Sequence, residues 1–204
     1  MKYLIYIIAF LIVIMVLDIS SQVVYADAGY PTDIELRALP PYCMARLRMA
    51  QVEKSEVDKW RRILGPKNWT SLHHYCQELN IVNRANRTVD RETRDDLLRK
   101  ALVSMRRFVN EQVQPDFILR HEVYYHMGGL EERLGNTQSA IAALTTSIKL
   151  NKKYASSYIA LSDIYKAHGE RDQALRIVKM GLEHVPKSKG LSMRKVELET
   201  EIAE

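Results

Sequence analysis

The sequence predicts an all-α protein. Apolar residues recur at helical spacing from Tyr42 to the carboxyl end, no segment alternates for long as a strand would, and a pattern of large and small residues repeats after 34 positions. The 204 residues carry a net charge of +5 and two cysteines.

At the amino end Lys2 precedes fifteen apolar residues, Tyr3 to Leu17, followed by Asp18 and the polar Ser20-Ser21-Gln22. With Val24 and Ala26 at the −3 and −1 positions of a cut after Ala26, residues 1–26 read as a secretory signal peptide. The alternative is an uncleaved anchor, its apolar run lengthened by Ile19, Val23 and Val24. Either reading exports the body of the chain, to the periplasm or to the outer face of the inner membrane. A modest basic excess in an exported chain points away from nucleic acid. It fits solubility or attraction to anionic envelope material.

Residues 27–41 hold three prolines and no periodicity, and are expected to form an extended arm. A divergent helical region is expected over 42–115. Val57, Trp60, Ile63 and Leu64 give one stripe before Gly65-Pro66 ends it, and Trp69, Leu72, Cys76, Leu79 and Val82 give the next. A third helix carries Leu97, Leu98, Ala101, Leu102, Met105, Phe108 and Val109 until Pro115 stops it, with Asp116 placed to cap the helix after it.

The repeat sets Tyr124 over Tyr158, Gly135 over Gly169, Ala140 over Ala174, Leu144 over Val178 and Ile148 over Leu182. A period of 34 is the length of a helix, a tight turn and a second helix. A large residue on one helix then has to face small ones, or the pair is held apart. At Tyr158, Leu161, Ser162, Tyr165, Ala174, Val178, Gly181 and Pro186 the second unit resembles the tetratricopeptide repeat family throughout. The first matches at Tyr124, Met127, Gly128, Ala140, Leu144 and Ser147, but has Glu131 in place of the tyrosine and Lys152 in place of the proline.

The resemblance implies a right-handed superhelix of antiparallel helix pairs, an α-solenoid with divergent amino-terminal helices. Two repeat units would occupy 116–187 and a capping helix 188–204. Upstream, Trp69, Leu72 and Cys76 with Ala101, Met105 and Phe108 look like a degenerate unit carrying an insertion around residues 83–96. The family's concave face, carried over position by position, falls on His74, Gln77, Glu122, Tyr125, Gly129, Glu132, Ser156, Ile159, Asp163 and Lys166. Tyr125 and Gly129 stand where a clamp for an acidic peptide terminus would need other residues, so a different ligand is implied.

The stretch "SLHHYCQEL", residues 71–79, raises a question of chemistry. On a helix His73 and His74 diverge by about 100° and cannot share one ion, whereas Cys76 lies on the packing face with Trp69 and Leu72. In an oxidising compartment Cys43 is the expected disulfide partner, closing a loop of about thirty residues and contributing roughly 3–4 kcal/mol in the chain-entropy model. Two free buried thiols, or a metal or haem site using His73, Cys76 and Cys43, are the alternatives. His121 and His126 are five apart rather than four, about 140° around a helix, which spoils a zinc-protease reading.

The triplets beginning at Asn68 and Asn86 fit the glycosylation pattern but carry no weight beside bacterial-looking export features. No phosphate-cradling glycine loop, haem-attachment motif or nucleophile elbow is present in the sequence. Neither catalysis nor a cofactor is expected. Arg84, Arg87, Arg91 and Arg94 form a stripe that is either a solvated face balanced by Asp90, Glu92, Asp95 and Asp96, or a contact for an anionic partner. The function expected is that of a non-enzymatic scaffold or adaptor with protein partners in a bacterial envelope complex. A periplasmic assembly factor handling a thiol client or a metal or haem cofactor is the alternative.

Overall fold

The computed structural model describes residues 30–203, so the expected leader at 1–26 lies outside the described residues. Ten α-helices and no strand occur among the described residues, and no helix there is long and apolar enough to cross a membrane. The all-α class and the stack of helix pairs are as expected.

The described part of the arm departs from an extended chain. Residues Asp33–Leu36 form a short helix, α1, because Thr32 and Glu35 make a capping box. The Glu35 N–H donates to Thr32 Oγ1 at 3.3 Å, and the Thr32 N–H donates to Glu35 Oε2 at 2.9 Å. Leu36 and Leu39 are buried, which pins the segment to the body. Helix α2, Pro41–Leu47, opens with a proline where no intrahelical donor is needed. A 3-10 turn, Met49–Gln51, leads to α3, Lys54–Leu64, which Gly65 ends at φ 81°.

Helix α4, Pro66–Arg87, runs for 22 residues, and α5, Arg91–Arg107, follows after only Thr88, Val89 and Asp90. The expected insertion around 83–96 is therefore not a loop. Both helices are elongated, and Asp90 caps the second by accepting from the Thr93 N–H at 2.8 Å. Basic side chains in the last turn of α4, Arg84 and Arg87, favour its continuation. A π-helical turn, Phe108–Gln112, ends α5. Asp116 does not cap the next helix; Leu119 holds that position without a side-chain bond.

The repeat proper is α6, Arg120–Arg133, packed on α7, Thr137–Leu150, and α8, Ala155–Ala167, packed on α9, Arg171–His184. Helix α10, Lys189–Ala203, lies against α9 and α8. Gly135 and Gly169 both adopt φ 79°, and their turns close with the same bonds 34 residues apart. The Asn136 N–H donates to the Glu131 carbonyl at 2.8 Å, and the Glu170 N–H to the Tyr165 carbonyl at 2.9 Å. Large-to-small packing then joins each pair. A Cβ on Gly128 would lie 2.6 Å from Leu144 Cγ, and one on Gly181 2.9 Å from Tyr158 Cγ.

Two cores result. One runs from Leu36 to Phe117 and onto α6, the other from Ala140 to Leu198, and they meet across α6 and α7. The departure at Glu131 has a cause in this arrangement. Its carboxylate, in the tyrosine position of the first unit, is buried, takes Arg106 of α5 as ion-pair partner and accepts from Asn136 Nδ2 at 2.9 Å. An ion pair thus joins the divergent helices to the repeats.

One buried carboxylate is less well served. Burial pushes the Glu78 carboxyl of α4 up to about 7 despite a hydrogen bond from Ser104, and its Oε2 has no partner. Between its unfolded value of 4.5 and about 7 the folded chain keeps a proton that the unfolded chain has lost, so stability falls as pH rises through this window and stays lowered above it. Glu78→Gln is expected to stabilise at pH 8 by about 1–3 kcal/mol and to make no difference near pH 4; urea denaturation at both pH values measures this, and a gain of equal size at both would refute it.

Adjacent glycines give a second test. Alanine at either gains up to about 1 kcal/mol of helix propensity, but at Gly128 overpacking of about 1–3 kcal/mol opposes it, while a Cβ on Gly129 meets nothing within 4 Å. Gly129→Ala should raise the denaturation midpoint and Gly128→Ala lower it. A rise in both would show that α6 and α7 have room to spare.

Candidate functional site

The first helices of the pairs, α4, α6 and α8, carry the expected groove residues. His74 and Gly129 are exposed, and Gln77, Glu122, Tyr125, Glu132, Ser156, Ile159, Asp163 and Lys166 are half-buried. Gly129, Glu132 and Asp163 alone of the ten line a cavity of about 290 Å³ with Leu144, Ala160, Ile164 and Ala167. Its floor is small and apolar. Glu132 stands on its wall with Oε1 3.8 Å from His168 Nε2, while Oε2 has no hydrogen-bond partner.

Towards the carboxyl end the groove is occupied by the chain itself. Arg194 of α10 reaches Asp163 at 2.6 Å, and Lys166 donates to Glu201 at 2.6 Å and to Glu197. Burial raises the Asp163 carboxyl, and Arg194 partly offsets it. Gly190 packs so tightly that a Cβ there would lie 2.9 Å from Ile159 Cδ1. Ile159, Asp163 and Lys166 thus seat the capping helix, a correction to their expected place on a free face.

At the other end Glu122 is also committed internally. Its Oε1 accepts from the hydroxyls of Tyr42 in α2 and Tyr75 in α4, the latter at 3.0 Å. Both tyrosines are buried, and two phenols without water need an acceptor. Burial and the nearby Glu122 charge raise both phenols, and they hold the Tyr154 hydroxyl up at about 12. Tyr125 packs edge-on to Tyr154 and His126, with ring centroids 5.5 and 5.1 Å apart. Glu122 therefore joins three helices rather than lining a groove.

Cys43 and Cys76 form a disulfide between α2 and α4, with Cα atoms 5.5 Å apart and both side chains fully buried. The alternatives of free thiols and of a metal or haem site through these sulfurs are thereby overturned. His73 and His74 do not diverge as a bare helical wheel implies; their ring centroids are 3.9 Å apart. His73 Nδ1 lies 2.9 Å from the Thr70 carbonyl oxygen, and burial lowers its pKa, with His74 and Arg46 adding to the effect. His121 packs on Tyr154, and His126 on Tyr125 and Tyr75, so each takes separate partners. No cluster of three metal-binding side chains occurs among the described residues.

The arginine stripe is divided. Arg84 and Arg87 bind Glu35 at 2.8 and 3.2 Å, and Arg84 above all holds that carboxyl down at about 2. Arg91 and Arg94 flank Asp95 at 3.7 and 3.5 Å. Of the carboxylates expected to balance the stripe, Asp96 instead takes Lys100 at 2.7 Å and Asp90 serves as a cap. The capping-box spacing of Thr32 and Glu35 was readable in the sequence. Its distant use as an arginine partner was not.

No protein-family profile matches the chain, and no curated protein matches it. Among solved structures, one crystal structure of MamA is 22% identical, with 63% of this chain and 86% of that one covered at a TM-score of 0.40. A second, of the MamA protein, is 19% identical, with 78% and 87% covered at a TM-score of 0.42.

The Glu122 joint yields a prediction. Glu122→Leu leaves two buried hydroxyls unpartnered and should cost about 2–4 kcal/mol, whereas Glu122→Gln keeps an acceptor and should cost about half as much or less. Equal urea midpoints for the two variants would show that the hydroxyls do not depend on this side chain.

Proposed function

We propose that the chain is a non-catalytic, exported adaptor that holds a segment of a partner protein in a bacterial envelope complex. The observation that carries the proposal is the cavity between α6, α7 and α8. Gly129, Leu144, Ala160, Ile164 and Ala167 offer it an apolar floor, and the half-buried Glu132 carboxylate stands on its wall. Such a surface accepts a small apolar side chain beside a lysine or arginine, the reverse of a clamp for an acidic terminus. Export is supported by the apolar run from Tyr3 to Leu17 and by the bonding of both cysteines, which persists in oxidising compartments. The reading as an assembly factor for thiols or metal needs a thiolate. Both of the chain's cysteines are bonded to each other.

In-cell crosslinking of the tagged protein, pull-down and mass spectrometry test this. A partner should be recovered with the native chain and lost with Ala160→Arg or Gly129→Arg, while Glu132→Gln weakens its retention and makes it less sensitive to salt. Recovery at the same yield with all three variants would remove the cavity from the function.

A further inference from the structure

We propose that a second cleft, between the α4–α5 turn and the carboxyl end of α6, binds a phosphate-type oxyanion. It measures about 420 Å³ and is lined by Asn86, Thr88, Arg94 and Arg133. These side chains come from α4, the turn, α5 and α6, so their meeting is a product of the tertiary fold and not of the periodicity of one helix. This site is separate from the groove of α6, α7 and α8, and the proposal does not rest on the adaptor reading.

Two guanidinium groups are brought to one cleft without a matching pair of carboxylates. Arg133 makes no ion pair among the described residues, and Arg94 lies with Nε 3.5 Å from Asp95 Oδ1, too far for a strong hydrogen bond. The two cations disfavour each other: burial lowers the Arg133 pKa, and the Arg94 charge lowers it further. Arg91, Arg94 and Arg133 face Asp95, with Asp90 at the head of α5. The lining of the cleft thus holds two cations and no carboxylate, and Asp95, which acts on both, is shared with Arg91.

An oxyanion relieves this arrangement. Guanidinium forks match phosphate oxygens in pairs, and two forks from different helices supply more donors than a single carboxylate can accept. The Asn86 amide adds a further donor, whereas the Thr88 hydroxyl hydrogen is already given to the Arg84 carbonyl at 2.9 Å, so Thr88 serves as wall. The volume leaves room for the group that carries the phosphate, either a soluble phosphomonoester or a lipid headgroup.

Calorimetric titration of the full chain with inorganic phosphate at fixed ionic strength tests the site. Binding is expected in the native protein, about tenfold weaker with Arg133→Lys, which keeps charge but not the fork, and lost with Arg133→Met or Arg94→Met. Arg62→Met on α3 removes the same charge elsewhere and should bind as the native chain does, with helicity by circular dichroism confirming that every variant folds. Sedimentation with phosphatidylglycerol or phosphatidylcholine vesicles separates the sources. Capture by the anionic vesicles, lost in the same variants, assigns a lipid headgroup; phosphate binding without it assigns a soluble phosphate. No binding of either probe, or an equal loss with Arg62→Met, overturns the proposal.

Discussion

Glu122 carries the joint on which the rest of the architecture depends. One carboxylate on the first repeat helix receives hydroxyls from Tyr42 and Tyr75, side chains that stand on two different helices of the divergent region. Two tetratricopeptide-like hairpins bury little when isolated, since each repeat relies on a neighbour to cover its apolar face. Here the neighbour is irregular. The buried acceptor fixes how α2 and α4 seat against α6, and Arg106 with Glu131 repeats the device one helix further on. Polar groups thus accompany the apolar packing of this interface, where Tyr75, Phe108, Val123 and Leu130 share one core.

Those commitments also define what remains for function. The concave positions inferred by family correspondence are divided among three tasks: anchoring the amino-terminal helices, seating α10, and lining a short open cavity. The last is open to a partner, as is the exposed His74 on α4. A position that faces inward in an ideal solenoid is free only where no neighbouring element reaches it, and a chain with few repeats has ends on both sides.

The sequence made much of the fold legible, and for physical reasons. The period of 34 shows because Gly135 and Gly169 must adopt the same left-handed turn and because Gly128 and Gly181 must admit a large neighbour. The disulfide was readable from the helix face that carries Cys76, together with the expectation of an oxidising compartment. The elongation of α4 and α5 was not, because a stretch rich in arginine and aspartate looks like a loop until Glu35, far away in sequence, is seen to hold Arg84 and Arg87. Glu131 looked like a flaw in the first unit, and its partner Arg106 is identifiable only once α5 is placed beside α6. Of the open cavity, Gly129, Glu132 and Asp163 were anticipated, while its apolar floor on α7 and α8 was not.

The two ends of the stack are fastened by unlike chemistry. Near the amino end a buried covalent bridge and buried hydroxyls hold α2 to α4 and α6, where dissolved ions have little reach. At the carboxyl end Leu191 and Leu198 are buried, but the side chains around them form partly exposed ion pairs, Lys166 with Glu201, Arg171 with Glu201 and Lys179 with Glu199. Ionic strength accordingly acts more on the seat of α10 than on the bridge and hydroxyls that join α2, α4 and α6.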